Sequence, residues 1–363
     1  MRCSSARAAI ALSGALRVVG GCGVLNPARR ADDPAPEVAA AAEMCGTLEA
    51  LGAGDHGACQ HSGEVPETYA VDYRRMKIGA VYPQTELCGD PEAIRRIGTA
   101  LESLGYDHLL SYDHVLGAVH EGREPKLTGP YTEKHPFHDP LVMFAFLAAL
   151  TQRLELVTGI LILPQRQTVL VARQVTDIDL LSGGRFRLGV GIGWNHVEYQ
   201  ALGQDFKTRG RRVDEQVELL RRLWSEPLVT FDGSFDRIDR ACINPRPKRR
   251  IPIWFGGFVE AAYRRAARLG DGFIFSGGVS DRVLDGWKQI ESALREARRD
   301  PTTFGREMVI GRADATPQDV AKRLEWCRNW GCTHAAIDTM GKGLSTAEAH
   351  LEFLSEVRRH FGE

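Results

Sequence analysis

The sequence predicts an α/β fold: a (β/α)8 TIM barrel with an insertion between strands 4 and 5. Three observations predict it. Apolar runs and helical patterns alternate eight times from Met76 onward. The eight pairs fill about 290 residues, the size of one such barrel, and leave no chain for a second domain. The strand-like runs are apolar on both faces and each is followed by a helix, as in a parallel sheet covered on its outer side. A doubly wound sheet is the alternative.

The elements follow in order. "KIGAVYP" (77–83) is the first strand. Asp90 and Pro91 then give an N-cap followed by proline at the first helical position, and Ile94, Ile97, Leu101 and Leu104 keep helical spacing up to Gly105. "YDHLLSYDH" (106–114) is the second strand with its exit, "DPLVMFAFLAALTQR" a helix and "LELVTGILILP" (154–164) a buried third strand. "TVLVARQVTDIDLLSGG" is a helix with a glycine stop, and "RFRLGVGIG" the fourth strand. The alternation then pauses for a charged amphipathic helix (208–224) and a hairpin around Asp232-Gly233. It resumes with "IPIWFGG" (251–257), "DGFIFSGG" (271–278), a helix over 282–298 and "EMVIGR", the weakest of the strands. Thr316 and Pro317 open a helix that closes at Gly331, "THAAIDTMG" is the eighth strand, and Ser345 with Glu348 reads as a capping box for the last helix.

The first 75 residues differ. They lack Lys, Phe and Trp, hold one Ile, and carry four of the eight cysteines. They read as a disordered or spurious extension (1–75) ahead of the barrel domain (76–363). Residues 8 to 22 could pass as a signal h-region ending at Cys22, but Arg17 interrupts it. No stretch is long and apolar enough to be a membrane span. The cysteines show neither metal-ligand nor paired spacing, which points to reduced thiols in the cytoplasm. A formal charge of −1 argues against a nucleic-acid partner.

A barrel does its chemistry where the strands end. Those ends hold Tyr82, Asp113, His114, Gly159 to Pro164, Gly191 to Asn195, Gly256, Gly257, Ser276 to Gly278 and Thr339 to Gly341. Glycines recur at five exits, suggesting a floor of exposed amides suited to a flat ring and a phosphate. Glycines 189, 191 and 193 weaken a strand, so they either relieve crowding inside the barrel or let something flat approach. A dinucleotide fingerprint fails because Trp194 stands where its third glycine belongs. "HPFHDP" (135–140) lacks a third metal ligand and reads as a polar mouth, so no metal is expected.

"ARQVTDIDLLSGGRFRLGVGIGWNHVEYQALGQDFKTRGRRVDEQVELLRRLW", with "IPIWFGG" and "LGDGFIFSGG", resembles the luciferase-like monooxygenase superfamily. Within it, the stretch is most similar to the deazaflavin-dependent (coenzyme F420) oxidoreductases of actinobacteria. The resemblance runs from Met76 to the C-terminus and implies a TIM barrel with an insertion. It implies that Asp113 and His114 lie at the deazaflavin, His114 as acid/base and Asp113 holding cofactor or imidazole. It implies a bulge at Thr158, Gly159 and Ile160 with a cis Gly159-Ile160 peptide behind the ring. Gly193, Trp194 and Asn195 would line the pocket, and Gly256, Gly257, Ser276 and Gly277 would meet the cofactor. The glycine-rich fourth strand is then thinned so that a tricyclic ring can approach, and basic chains near Arg166 and Arg185 would meet an acidic cofactor tail. No cation follows the sixth strand in "SGGVSD", so a phosphorylated sugar is a poor substrate. The implied activity is hydride transfer between F420 and a small organic molecule, by a homodimer. An FMN-dependent monooxygenase and a non-catalytic flavin- or deazaflavin-binding barrel are the alternatives.

Overall fold

The computed structural model describes residues 75–362. The strands of its main sheet are β1 (Lys77–Val81), β2 (His108–Ser111), β3 (Glu155–Thr158), β4 (Leu161–Ile162), β5 (Phe186–Gly191), β8 (Ile253–Gly256), β9 (Gly272–Phe275), β10 (Gly305–Ile310) and β11 (His334–Ile337). Between β5 and β8 a separate antiparallel hairpin forms from β6 (Val229–Asp232) and β7 (Arg237–Ala241). The helices are α1 (Pro91–Ser103), α2 (Pro140–Leu150), α3 (Thr168–Leu181), α4 (His196–Ala201), α5 (Arg209–Ser225), α6 (Glu260–Leu269), α7 (Asp281–Glu296), α8 (Pro317–Asn329) and α9 (Ala347–Phe361).

All pairs in the main sheet are parallel, and they run β3-β2-β1-β11-β10-β9-β8-β5. Leu156 and Val157 of β3 then pair with Phe186 and Arg187 of β5. That last ladder closes an eight-stranded barrel and removes the doubly wound alternative, whose sheet would keep two edges. β4 carries the third strand's pairing to β5 on past a bulge. The insertion expected after the fourth strand is present as α4 and the β6–β7 hairpin.

Local chemistry explains the helix starts. Asp90 accepts from Glu92 N at 2.9 Å and Asp139 from Leu141 N at 2.9 Å, each ahead of a proline that fits the first helical position. Thr316 and Asp319 form a reciprocal capping box for α8. The box expected for α9 is absent. Thr346 is the cap, accepting from Ala349 N at 3.2 Å, and Glu348 instead pairs with Arg96 of α1.

Two apolar layers form. One lies between strands and helices, and a smaller one inside the barrel holds Val81, Leu110, Val157, Trp254, Ile274, Val309 and Ala336. Beneath the inner layer, where the strands begin, lies a buried ionic floor. Arg187 Nη1 donates to Glu307 Oε2 at 2.6 Å, Glu307 Oε1 faces His108 Nε2 at 2.7 Å, and Glu155 Oε2 lies 3.2 Å from Arg187. Burial alone would raise the Glu307 carboxyl, but Arg187 and His108 outweigh it and hold its pKa at about 2. This floor accounts for the poor sequence signal of the seventh strand. β10 is six residues long, and its inward Glu307 is satisfied by the floor, so the strand does not read as apolar.

Candidate active site

β2 ends at Ser111, and the chain leaves the barrel through Tyr112, Asp113 and His114 into a long loop that returns at α2. Gln84, buried at the exit of β1, fixes the start of this loop by donating to the Tyr112 carbonyl at 2.8 Å. The His114 ring is held edge-on by three aromatic rings, with centroids at 4.9 Å (Phe137), 5.2 Å (Tyr131) and 5.4 Å (Trp194). Gly129 lies flat against the Trp194 indole, where a Cβ would overlap it.

Asp113 and His114 do not bond to each other. Asp113 Oδ2 accepts from Ile162 N at 2.8 Å and Oδ1 from Arg166 at 2.7 Å. Burial raises this carboxyl above the ordinary aspartate value, and Arg166 offsets it only in part. The imidazole is held by Glu198 of α4. His114 Nδ1 lies 3.2 Å from both carboxylate oxygens, and Glu198 Oε1 also accepts from Val115 N at 2.8 Å and Leu116 N at 3.0 Å. Asn195 caps α4 by accepting from Val197 N at 3.1 Å and donates to the Leu116 carbonyl at 3.2 Å. α4 and the strand-2 exit are thereby joined around the histidine.

At the third strand, the Gly159-Ile160 peptide is cis and the Thr158 hydroxyl donates to the Gly189 carbonyl at 2.7 Å. The bulge sends the Ile160 side chain over two glycines. A Cβ at Gly191 would lie 2.6 Å from Ile160 Cδ1, and one at Gly256 would lie 2.8 Å from Ile160 Cγ2. A Cβ at Gly189 would overlap the Thr158 carbonyl oxygen, and one at Gly193 would meet Ile162 at 2.8 Å. The glycines of the fourth strand therefore make room for the chain's own bulge. That is the crowding inside the barrel that the sequence offered as one of two reasons for them. Gly277 and Gly278, at the sixth exit, have positive φ and nothing within 4 Å of their Cβ positions, so this backbone is open.

The family model described as luciferase-like monooxygenase matches residues 76–344. The chain belongs to the luciferase-like monooxygenase family. An FMNH2-dependent dimethylsulfone monooxygenase of Pseudomonas fluorescens is 35% identical over 198 residues, 53% of this chain and 50% of that protein. An F420-dependent glucose-6-phosphate dehydrogenase of Nakamurella multipartita is 31% identical over 191 residues, 52% of this chain and 53% of its own. The chain thus spans about half the length of these two relatives. Among solved structures, an F420-dependent secondary alcohol dehydrogenase in complex with an F420-acetone adduct superposes with a TM-score of 0.65. It is 17% identical and covers 80% of this chain and 100% of its own, a likeness in fold. Luciferase-like enzymes related to this chain therefore include both F420-dependent dehydrogenases and flavin-dependent monooxygenases.

Within this luciferase-like barrel, His114, Trp194 and Asn195 come together at one side of the mouth. Gly256, Gly257, Ser276 and Gly277 lie at the fifth and sixth exits. Of the two basic chains expected near a cofactor tail, Arg166 is committed to Asp113 and Asp139 (2.7 and 2.9 Å). Arg185 lies at the opposite end, before β5, bonded to Thr151 and the carbonyls of Ala148 and Leu154. His135 and His138 have separate surroundings. His135 Nδ1 accepts from Thr132 N at 3.0 Å, and His138 approaches Gly89. Among the described residues no three potential ligands are grouped to hold a metal.

Glu198 was not singled out in the sequence. Its one signal is the spacing Asn195-x-x-Glu198 just after a strand exit, which reads as a capping box. Asp338 was also missed. It lies just past β11, accepts from Tyr112 Oη at 3.1 Å and Met340 N at 2.9 Å, and burial raises its carboxyl. Burial, with Asp338 adding to it, pushes the Tyr131 phenol up to about 12.

Proposed function

We propose that the chain is an oxidoreductase that moves hydride between coenzyme F420 and a small, unphosphorylated organic substrate, with His114 handling the proton. The observation that carries this reading is the oriented histidine: it stands at a strand exit, packed by three aromatic rings and held through one nitrogen by a buried carboxylate. Such pre-organisation favours a catalyst over a passive cofactor store.

Several observations fit a large, flat, anionic cofactor. Both amide atoms of the buried Gln165 lack a protein partner among the described residues, as do the Nε atoms of Arg209 and Arg212 on the neighbouring first turn of α5. The uncrowded backbone at Gly277 and Gly278 offers a second edge for it. Residues proposed to hold the cofactor are Asp113, Thr158, Gly159, Ile160, Gly193, Trp194, Asn195, Gly256, Gly257, Ser276 and Gly277. Of these, Asp113, Thr158 and Asn195 would act indirectly, since their side chains already bond within the protein. A bound deazaflavin supplies a ring carbon that takes or gives hydride, two electrons at a time. As a carbinol carbon loses hydride, His114 removes the hydroxyl proton and a carbonyl product leaves. The aromatic wall around His114 excludes water from that transfer.

The 35% identity to an FMNH2-dependent monooxygenase favours FMN as the second reading. Titrating the purified protein with each cofactor separates the two. F420 should bind more tightly, and His114→Asn should slow single-turnover hydride transfer by about 10²–10⁴-fold with only a few-fold change in cofactor affinity. FMN that F420 cannot displace, or a folded variant at the full rate, would sink the proposal. We also propose a homodimer, in keeping with the exposed apolar chains of α2 and α3, and a cytoplasmic site. The four described cysteines are free thiols, as the latter requires. Among the described residues no helix is long and apolar enough to cross a membrane.

A further inference from the structure

Glu198 occupies the first turn of α4 with a fully buried side chain. A glutamate three residues after an N-cap ordinarily returns to the cap's own N–H. Here the carboxylate reaches across to the exit of β2, where Oε1 takes the N–H groups of Val115 and Leu116 and both oxygens face His114 Nδ1. An ionised carboxylate has no hydrogen to donate, and Oε1 is already an acceptor twice over. Facing a carboxylate in that ionised form, the imidazole nitrogen is the one that carries the hydrogen. Asp113, the acid next to His114 in sequence, cannot do this, because its oxygens are held by Ile162 N and Arg166.

We infer that Glu198 is a positioning residue that fixes neutral His114 as its Nδ1–H tautomer, leaving Nε2 as the bare nitrogen that takes the substrate proton. The identity of that proton rests on the proposed hydride-transfer reaction, whereas the tautomer is a property of the protein alone. Among the described residues Nε2 has no hydrogen-bond partner, while Nδ1 has two carboxylate oxygens within reach. An imidazole held in this way presents one defined basic atom to the mouth, which fixes the geometry of proton transfer.

The test is ¹⁵N NMR of the full chain labelled at histidine. It is recorded over a pH series, and the tautomer is read where the nitrogen shifts no longer change with rising pH and the rings are neutral. The His114 signals are those missing from the His114→Asn spectrum. The expected result is a protonated Nδ1 and an unprotonated Nε2, and the opposite pattern overturns the inference. Glu198→Gln sharpens the test. The glutamine carbonyl still serves Val115 and Leu116, but its NH2 then faces the imidazole as a donor and favours the Nε2–H tautomer. The spectrum should flip, and single-turnover hydride transfer should fall by about 10²-fold or more, within what a positioned acid–base group supplies. A folded Glu198→Gln protein whose His114 keeps its tautomer overturns the inference, and if that variant does not fold the wild-type spectrum alone decides. A wild-type protein with the expected tautomer that reduces or oxidises no substrate with F420 leaves this inference standing and removes the proposed reaction.

Discussion

His350 of α9 is fully buried, with Nδ1 2.7 Å from the Thr339 hydroxyl and Nε2 3.3 Å from Glu86 Oε2. Burial lowers its pKa from the ordinary 6.5 to about 4. As pH falls below about 6.5 the unfolded chain protonates this histidine, while the folded chain leaves it neutral down to about 4. The unfolded state then binds more protons, so this histidine makes stability fall as the pH drops through that window. His350→Gln should flatten the slope. Urea midpoints at about pH 7 and pH 5 for both proteins measure it, and identical differences between the two pH values would refute the assignment. His334 is shifted the same way by burial and stays in both proteins, so the comparison isolates His350. At this scale the sequence showed His114 because Asp113 and His114 are neighbours at a strand exit. Glu198 stayed hidden because its partner lies 84 residues away and its local spacing mimics a helix cap. Partnership across the fold leaves no local pattern.

Among elements, the fourth strand repays the closest look. Its glycines were conspicuous in the sequence, but their cause lies on another strand, since only the folded barrel places the 158–162 bulge against them. Gly189→Ala should destabilise by about 1–3 kcal/mol or more, because the new methyl meets a backbone carbonyl that cannot rotate away. A chemical-denaturation midpoint equal to wild type would contradict the packing described. The seventh strand is the converse case: its inward glutamate obscured a strand that the ionic floor makes regular. α2 is a further case. It reads as apolar all round, the signature of a buried helix, yet Val142 is 67% exposed and Phe146 39%, beside Val169 and Leu170 of α3 at 44% and 52%. If a second copy covers this face, Val142→Glu with Leu170→Glu should halve the mass seen by light scattering and leave the circular dichroism unchanged. A wild-type protein that is already monomeric at micromolar concentration removes the dimer.

For the whole molecule, closure is the decisive feature. The strands from Lys77 to Ile337 form the complete barrel, and the β3–β5 ladder leaves no edge strand for another segment to fill. Strand–helix alternation made this legible in the sequence, because each parallel strand must be buried on both faces and each crossover needs a helix. The charged floor was not legible, since Arg187, Glu307 and His108 are scattered along the chain and meet only after closure. Residues 1–75 were set apart by composition, and residues 1–74 lie outside the described structure. All eight strands of the closed barrel lie within the described residues. Of the described residues, deleting 1–75 removes Arg75, and its bridge to Asp107, exposed on the arginine side, is worth little. Asp107 keeps its bond to Ile78 N at 2.8 Å, and Lys77 N still donates to the Thr333 carbonyl at 2.9 Å, so β1 stays seated between β2 and β11. A protein starting at Met76 should therefore melt within about 2 °C of the full chain, since a loss below about 0.5 kcal/mol moves Tm by no more than that. It should bind cofactor with unchanged affinity. Aggregation of the shortened chain, or a tenfold loss of affinity, would show instead that the segment completes the barrel or its mouth.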